Sequence, residues 1–171
     1  MFKRLRRVRL NPIVRNLVEE TSLRTEDLIY PLFITHGEGI KNAIPSMPDV
    51  YQLSIDNALK ECEELERLGI EAIMLFGIPA IKDSVGSEAL SSEGIIAQAL
   101  RAIKAKFPNM LLCVDLCFCE YTDHGHCGIL NPKLQSVDND LTLEILNKQA
   151  LVLAQAGADL IAPSGMMDGM I

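Results

Sequence analysis

Short apolar runs alternate with helical patterns along most of this chain, and this alternation limits the possible folds more than any other feature. The runs begin near Leu28, Ala72, Met110 and Asp159, each bounded by turn residues or by a change of period. Apolar residues at helical spacing form three faces: Ile55, Leu59, Cys62 and Leu65; Ile96, Leu100, Ile103 and Phe107; and Leu143, Leu146, Ala150 and Leu153. Repeated strand and helix units of this kind predict an α/β fold.

Two glycines mark the expected ends of helices. Gly69 and Gly157 stand where a left-handed C-cap is needed, and each precedes a small or apolar residue, an acid and an apolar run. A helix that ends on glycine and leads directly into a strand is typical of such units. Because no linker or low-complexity stretch interrupts them, we expect one domain.

A cluster of metal-binding residue types follows the third apolar run. Residues 110–114 predict a strand, and side chains alternate between the two faces of a strand. Asp115, Cys117 and Cys119 therefore point the same way if the extended conformation persists to Cys119. The polar, glycine-containing residues 120–128 predict a loop that folds back and delivers Cys127.

Three thiolates are soft ligands suited to Zn²⁺. A closed structural site needs a fourth protein ligand, and His124 and His126 are the only nearby imidazoles that could supply it. Three ligands alone would leave an open position for chemistry. We expect zinc here, and the alternative of cysteines without a metal stays open because this spacing is a weaker signal than paired C-x-x-C motifs.

The residues 115–128, Asp-Leu-Cys-Phe-Cys-Glu-Tyr-Thr-Asp-His-Gly-His-Cys-Gly, closely resemble the zinc-site segment of the porphobilinogen synthase (5-aminolevulinate dehydratase) family, zinc-dependent type. Further segments resemble the family in the family's order: 44–48 (Ile-Pro-Ser-Met-Pro), 75–79 (Leu-Phe-Gly-Ile-Pro), 83–87 (Asp-Ser-Val-Gly-Ser) and 156–164 (Ala-Gly-Ala-Asp-Leu-Ile-Ala-Pro-Ser). The resemblance covers nearly the whole chain.

The family fold is a (β/α)₈ TIM barrel preceded by an extended N-terminal arm. Such a barrel typically needs about 250 residues, and this chain has 171. The resemblance therefore implies the N-terminal half of the barrel. It assigns residues 1–25 to the oligomerisation arm and residues 26–171 to a partial barrel of four βα units.

The resemblance also implies a reaction. Family members are hydro-lyases that condense two molecules of 5-aminolevulinate asymmetrically, with loss of water, to porphobilinogen for heme biosynthesis. The matching zinc ligands are Cys117, Cys119 and Cys127. Asp115 matches an active-site aspartate that helps to position a substrate amine or transfers protons, and Ser164 matches an active-site serine. An allosteric Mg²⁺ site is a further possibility that this sequence does not identify.

The two family lysines that form Schiff bases are expected beyond Ile171. Within this chain Lys82 follows the second predicted barrel strand, but nothing matches it to a Schiff-base lysine, and we expect a solvated loop residue. The isolated chain is therefore expected to be inactive. The alternative function is a zinc-binding fragment or assembly partner without turnover.

The first fifteen residues carry six cations and no acids: Lys3, Arg4, Arg6, Arg7, Arg9 and Arg15. A nucleic-acid arm or a transit peptide could look like this, but interleaved aromatic residues and early serines are lacking. The resemblance favours an arm that packs on a neighbouring subunit of a homo-octamer. We expect no nucleic-acid partner.

Nothing in the sequence predicts a membrane partner, because no apolar run approaches the roughly 18 residues of a membrane span. There is no secretory h-region either. Five cysteines, three of them in one metal-like cluster, fit a reducing cytoplasm better than a disulfide framework. Cys62 and Cys113 are expected to be core residues.

The last residues depart from the family pattern. After Ser164 the family usually reads Asp-Met-Met-Asp-Gly-Arg, whereas this chain has Gly165-Met-Met-Asp-Gly-Met170. The chain thus lacks a carboxylate and a guanidinium that could form an ion pair near the mouth of the site. Met166 and Met167 are expected to pack rather than to bind metal.

Overall fold

The computed structural model describes residues 3–133 and 135–171. Its N-terminal part is a short helix α1 (Pro12–Leu17) and a 3₁₀ turn (Thr25–Asp27). Asn11 caps α1 by accepting a hydrogen bond from the Ile13 N–H, and no residue of this helix is buried. The arm assigned to residues 1–25 stays a prediction, and its residues 1 and 2 lie outside the described part of the chain.

Four strands form the centre of the sheet: β1 (Ile29–Thr35), β4 (Ala72–Ile78), β5 (Leu111–Leu116) and β8 (Leu160–Pro163). Each is parallel to its neighbour, in the spatial order β1-β4-β5-β8. The apolar runs in the sequence predicted all four, because the strands of parallel sheets are near-continuously apolar. Buried residues alternate with half-buried ones along β4, so one face of this strand is more deeply buried than the other. The predicted α/β fold is confirmed.

Shorter strands were not predicted. β2 (Lys41–Ala43) and β3 (Tyr51–Leu53) extend the sheet beyond β1, with β3 parallel to β1 and β2 antiparallel to β3. A separate hairpin joins β6 (Leu130–Asn131) to β7 (Ser136–Val137). Segments of two or three residues are too short to carry a recognisable period.

Three longer helices connect the central strands: α2 (Ile55–Leu68), α3 (Ile95–Lys106) and α4 (Asn139–Ala156). α2 ends at Gly69 with φ 77° and α4 ends at Gly157 with φ 107°, as the sequence predicted. The predicted faces lie against the sheet, and the residues buried from them are Cys62, Leu65, Ile96, Leu100, Ile103, Phe107, Leu146 and Leu153.

Cys62 and Cys113 lie in the core, as expected. Cys62 faces the sheet from α2 and Cys113 lies within β5, and both are fully buried. Burial raises the pKa of the Cys62 thiol to about 12, so this sulfur stays protonated and unreactive. In the described residues, no helix is both long and apolar enough to cross a membrane.

Candidate metal centre and active site

Strand β5 ends at Leu116, and the chain then turns sharply. The Phe118 carbonyl accepts hydrogen bonds from the N–H groups of Tyr121 and Thr122, each at 2.9 Å. The alternation of side chains expected through Cys119 therefore stops before Cys117. A turn, rather than a continued strand, brings the cysteines together.

The three predicted thiols form a compact group. The sulfur atoms of Cys117, Cys119 and Cys127 all lie within 4.8 Å of one another, and the first two are 3.2 Å apart. Zinc at about 2.3 Å from each sulfur in tetrahedral geometry places sulfurs roughly 3.8 Å apart. The donor set and its spacing therefore fit a zinc ion. Among the residues that the structure describes, no fourth ligand joins this group.

Burial is the main cause that raises the pKa of the Cys119 and Cys127 thiols, and the Cys117 sulfur raises both further. Cys127 also raises the pKa of Cys119, whereas hydrogen bonds with Cys119 lower that of Cys127. Thiolates this close together repel one another when no cation separates them. The three sulfurs consequently favour a bound cation, which must displace protons to bind.

Neither histidine closes the site. The His124 Nδ1 accepts a hydrogen bond from the His126 N–H at 3.1 Å, and its Nε2 lies 3.3 Å from the Ser84 carbonyl oxygen. Both ring nitrogens of His124 are thus engaged by backbone, in the tautomer protonated at Nε2. The His126 ring packs beside that of His124, with 5.4 Å between centroids.

The loop after β4 holds the cysteine loop, residues 117–128, in place. Asp83 N–H donates to the Tyr121 carbonyl at 3.3 Å, and Asp123 N–H donates to the Asp83 carbonyl at 3.1 Å. The Asp83 carboxylate in turn accepts from the Ser87 hydroxyl and from the N–H groups of Val85 and Ser87. These bonds lower the pKa of Asp83, so its ionised form orders the loop.

Asp115 and Ser164 meet at the carboxyl ends of adjacent strands. Asp115 is paired with Ala162 in the parallel register of β5 and β8, and Ser164 N–H donates to the Leu116 carbonyl at 3.3 Å. Burial raises the pKa of the half-buried Asp115, while a hydrogen bond with the Ser164 side chain opposes that shift. Barrel enzymes build their active sites at this end of the strands.

Glu120 is a second carboxylate at the site, and the sequence reading missed it. Its Oε2 accepts a hydrogen bond from the Gly77 N–H at 3.1 Å, at the carboxyl end of β4. Burial first, and then the charge of Asp115, raise the pKa of Glu120 to about 7, against opposing effects of Gly77 and Lys82. Its position directly after Cys119 was the available signal. Lys82 itself is exposed.

A family model described as "Delta-aminolevulinic acid dehydratase" matches residues 2–171. The chain belongs to the delta-aminolevulinic acid dehydratase family. A family member from Helicobacter pylori is 57% identical over 172 aligned residues, which cover 100% of this chain and 53% of that protein. Another, from Halalkalibacterium halodurans, is 49% identical over 99% of this chain and 51% of its own length.

A solved structure of delta-aminolevulinic acid dehydratase (porphobilinogen synthase) from Toxoplasma gondii, in complex with the reaction product porphobilinogen, is also similar. It superposes with a TM-score of 0.94 at 40% sequence identity, over 99% of this chain and 49% of that one. The chain spans about half the length of the family members it matches. The expected family and the N-terminal half of its barrel fold are thereby confirmed.

The two departures from the delta-aminolevulinic acid dehydratase pattern lie side by side. A Cβ atom added to Gly165 would lie 3.1 Å from Cε of Met170. The Met170 side chain therefore lies beside Gly165, where the family pattern would put two opposite charges. Met167 packs on the core, as expected. Met166 is 94% exposed, so the prediction that it packs is wrong.

Proposed function

We propose that this chain supplies the metal-binding half of a porphobilinogen synthase. The reaction joins two molecules of 5-aminolevulinate into one porphobilinogen and two waters, a step of heme biosynthesis. The observation that carries the proposal is the grouping of three cysteine sulfurs within 4.8 Å at the end of the strand that also bears Asp115. This is the edge of the sheet where a barrel enzyme binds its substrate.

Cys117, Cys119 and Cys127 are the proposed zinc ligands. Zn²⁺ bound there would supply Lewis-acid stabilisation of negative charge that develops on the substrate. Three protein ligands would leave a position open to substrate, as in catalytic rather than structural zinc sites. His124 stays outside the ligand set because backbone groups engage both of its ring nitrogens.

Asp115 and Ser164 are the proposed catalytic residues of this half. The polar Ser164 side chain favours the ionised form of Asp115, in which the carboxylate can hold the ammonium group of a substrate. Asp115 can then accept a proton from that nitrogen and return it later. Burial disfavours the charged form and raises the pKa of Asp115, so its carboxyl group exchanges a proton more readily than that of an exposed aspartate.

The covalent chemistry is assigned to lysines of the other half. A Schiff-base lysine must lose its proton, which requires desolvation or a neighbouring cation. Lys82 is exposed and follows β4 in an open loop. Strand β8 ends the order of the described sheet, and its free edge suits a following barrel strand.

The assembly is proposed to be a cytoplasmic homo-octamer, with residues 1–25 as the arm that contacts a neighbouring subunit. The exposed apolar side chains of this segment support that reading: Leu5, Val8, Leu10, Ile13, Leu17, Val18 and Leu23. Residues 1–15 of this segment carry six cations and no acids, whereas residues 16–171 have a net charge of −13 because the whole chain has −7. Opposite charges favour docking of the arm on a second copy.

Metal analysis of the purified chain tests the zinc site. The wild type should retain about one Zn²⁺ per chain after desalting, and Cys119→Ala should lose most of it, since a tetrahedral site rarely forms from two thiolates alone. Cys113→Ala is the matched control, because this buried thiol lies in β5 outside the cluster. Equal zinc in the wild type and in Cys119→Ala would refute the ligand assignment.

The activity is tested by completing the barrel. The chain is joined to the C-terminal half of the Helicobacter pylori family member and supplied with 5-aminolevulinate, and porphobilinogen is measured. Product formation that is lost in the Asp115→Asn and Cys119→Ala versions would support the proposal. A folded, zinc-loaded fusion without activity would favour a zinc-binding partner without turnover.

A further inference from the structure

Buried polar side chains are concentrated around the cysteine loop. Within residues 3–133 and 135–171, the polar side chains that are buried are Ser54, Thr122, Thr142 and Gln149. Three of them bond to the segment 117–129. Thr122 Oγ1 donates to the His126 carbonyl at 3.0 Å, Thr142 Oγ1 accepts from the Ile129 N–H at 3.0 Å, and Gln149 Nε2 donates to the Cys117 carbonyl at 3.3 Å.

Gln149 binds the backbone at the residue where the sheet stops supporting it. The last pair between β5 and β8 joins Leu116 to Pro163, so the Cys117 carbonyl lies just beyond the ladder. A buried carbonyl without a partner costs free energy, and Gln149, reaching across from α4, supplies the missing donor. Its side chain is 1% exposed, so this bond is shielded from water.

The same glutamine has an unfavourable feature. Its Oε1 is buried and has no hydrogen-bond partner. A Leu or Met on this face of α4, between Leu146 and Leu153, would avoid that cost. The hydrogen bond from Gln149 to the Cys117 carbonyl offsets this cost, because the orientation of that peptide group determines the direction of the Cys117 sulfur.

Thr122 fixes the other end of the loop. It is also 1% exposed, and its bond to the His126 carbonyl restrains the residue directly before Cys127. Between these two anchors, Cys119 N–H points at the Cys117 sulfur at 3.5 Å. Each cysteine thus has a restraint that exists without any metal.

We propose that Gln149 and Thr122 are positioning residues of the metal site, which hold the Cys117 and Cys127 sulfurs in their binding arrangement before the ion arrives. The inference rests on the proposed zinc site and deepens it. Groups that orient metal ligands typically change metal affinity by about 10- to 100-fold when they are removed. Preorganisation acts through affinity because less ordering remains to be done on binding.

The experiment compares zinc affinity and the cobalt spectrum in four full-length chains: wild type, Gln149→Met, Thr122→Val and Ser54→Ala. Met and Val keep approximate size while removing the hydrogen bond. Ser54→Ala is the matched control, because it removes a buried hydrogen-bonding side chain, bonded to Ile40, far from the cysteines along the chain. Zinc is titrated against a chromophoric chelator, and Co²⁺ reports thiolate coordination through its charge-transfer and visible bands.

We expect zinc affinity to fall about 10-fold or more in Gln149→Met and Thr122→Val, with shifted cobalt bands. Ser54→Ala should lose thermal stability while keeping wild-type affinity and bands. Wild-type affinity and an unchanged cobalt spectrum in folded Gln149→Met would overturn the inference. If that variant does not fold, Thr122→Val decides by the same criterion. A wild type that binds no zinc would instead refute the proposed metal site itself.

Discussion

Gly77 is the point where the cysteine loop packs on the sheet, and Gly77→Ala should push the loop away. A Cβ atom there would overlap the Tyr121 hydroxyl oxygen and lie 2.8 Å from Cγ1 of Ile96 and 2.9 Å from Cζ of Tyr121. Tyr121 and Ile96 are both buried, so neither can simply rotate away. The Gly77 N–H also donates to Glu120, and a displaced loop strains that bond.

The expected cost is about 2 kcal/mol. Overpacking of a well-filled core costs typically 1–3 kcal/mol, and a weakened hydrogen bond adds roughly 1 kcal/mol. Replacing a glycine within a strand by alanine returns about 0.5–1 kcal/mol of backbone entropy. Urea unfolding followed by circular dichroism measures the free energy of unfolding, with a chelator present so that metal binding does not contribute.

A double-mutant cycle with Tyr121→Phe tests the cause. Removing the hydroxyl opens the most crowded contact, so the cost of Gly77→Ala should fall by about 1 kcal/mol in the Phe background. Gly125→Ala is the control: this glycine has φ 71° and open space around it, so its cost is backbone strain and should not depend on Tyr121. A cost of Gly77→Ala below about 0.5 kcal/mol, or one that Tyr121→Phe leaves unchanged, would refute this packing argument.

Three further predictions concern pH, chemistry and assembly. Hydrogen bonds from Lys104 and from the Leu112 N–H lower the pKa of Asp159 below its usual 3.8. The ionised carboxylate therefore stabilises the fold above pH 3.8, and this contribution is lost as the pH falls through the lowered pKa of the folded state. Asp159→Asn should therefore lose about 1 kcal/mol at pH 7 and converge with the wild type in strong acid, as followed by urea unfolding; a constant difference would contradict the linkage. The isolated chain should form no porphobilinogen, and borohydride should trap no 5-aminolevulinate adduct on the exposed Lys82; mass spectrometry finding one would overturn the assignment of the lysines to the other half. Deleting residues 1–18 from a completed barrel should shrink the assembly in light scattering, and an unchanged mass would contradict the arm.

Local patterns in the sequence determined the central strands and the longer helices. A helical or strand period can be recognised within about ten to fifteen residues. The helix ends at Gly69 and Gly157 depend only on the left-handed backbone conformation of the glycine itself. The cysteines were identifiable for the same reason, because Cys117, Cys119 and Cys127 lie within eleven residues and a short turn suffices to gather them.

Contacts between distant segments were decided only by the tertiary structure. Glu120 bonds to Gly77 across 43 residues, and Gln149 reaches Cys117 across 32. The engagement of His124 by the Ser84 carbonyl, which removes it from the ligand set, spans 40 residues. The glutamine did leave a trace, as a polar residue on the apolar face of α4, but its partner could not be named. Sequence periodicity reports which face of an element is buried, whereas the partner of a polar group depends on which strand ends and loops the completed sheet brings to the same edge.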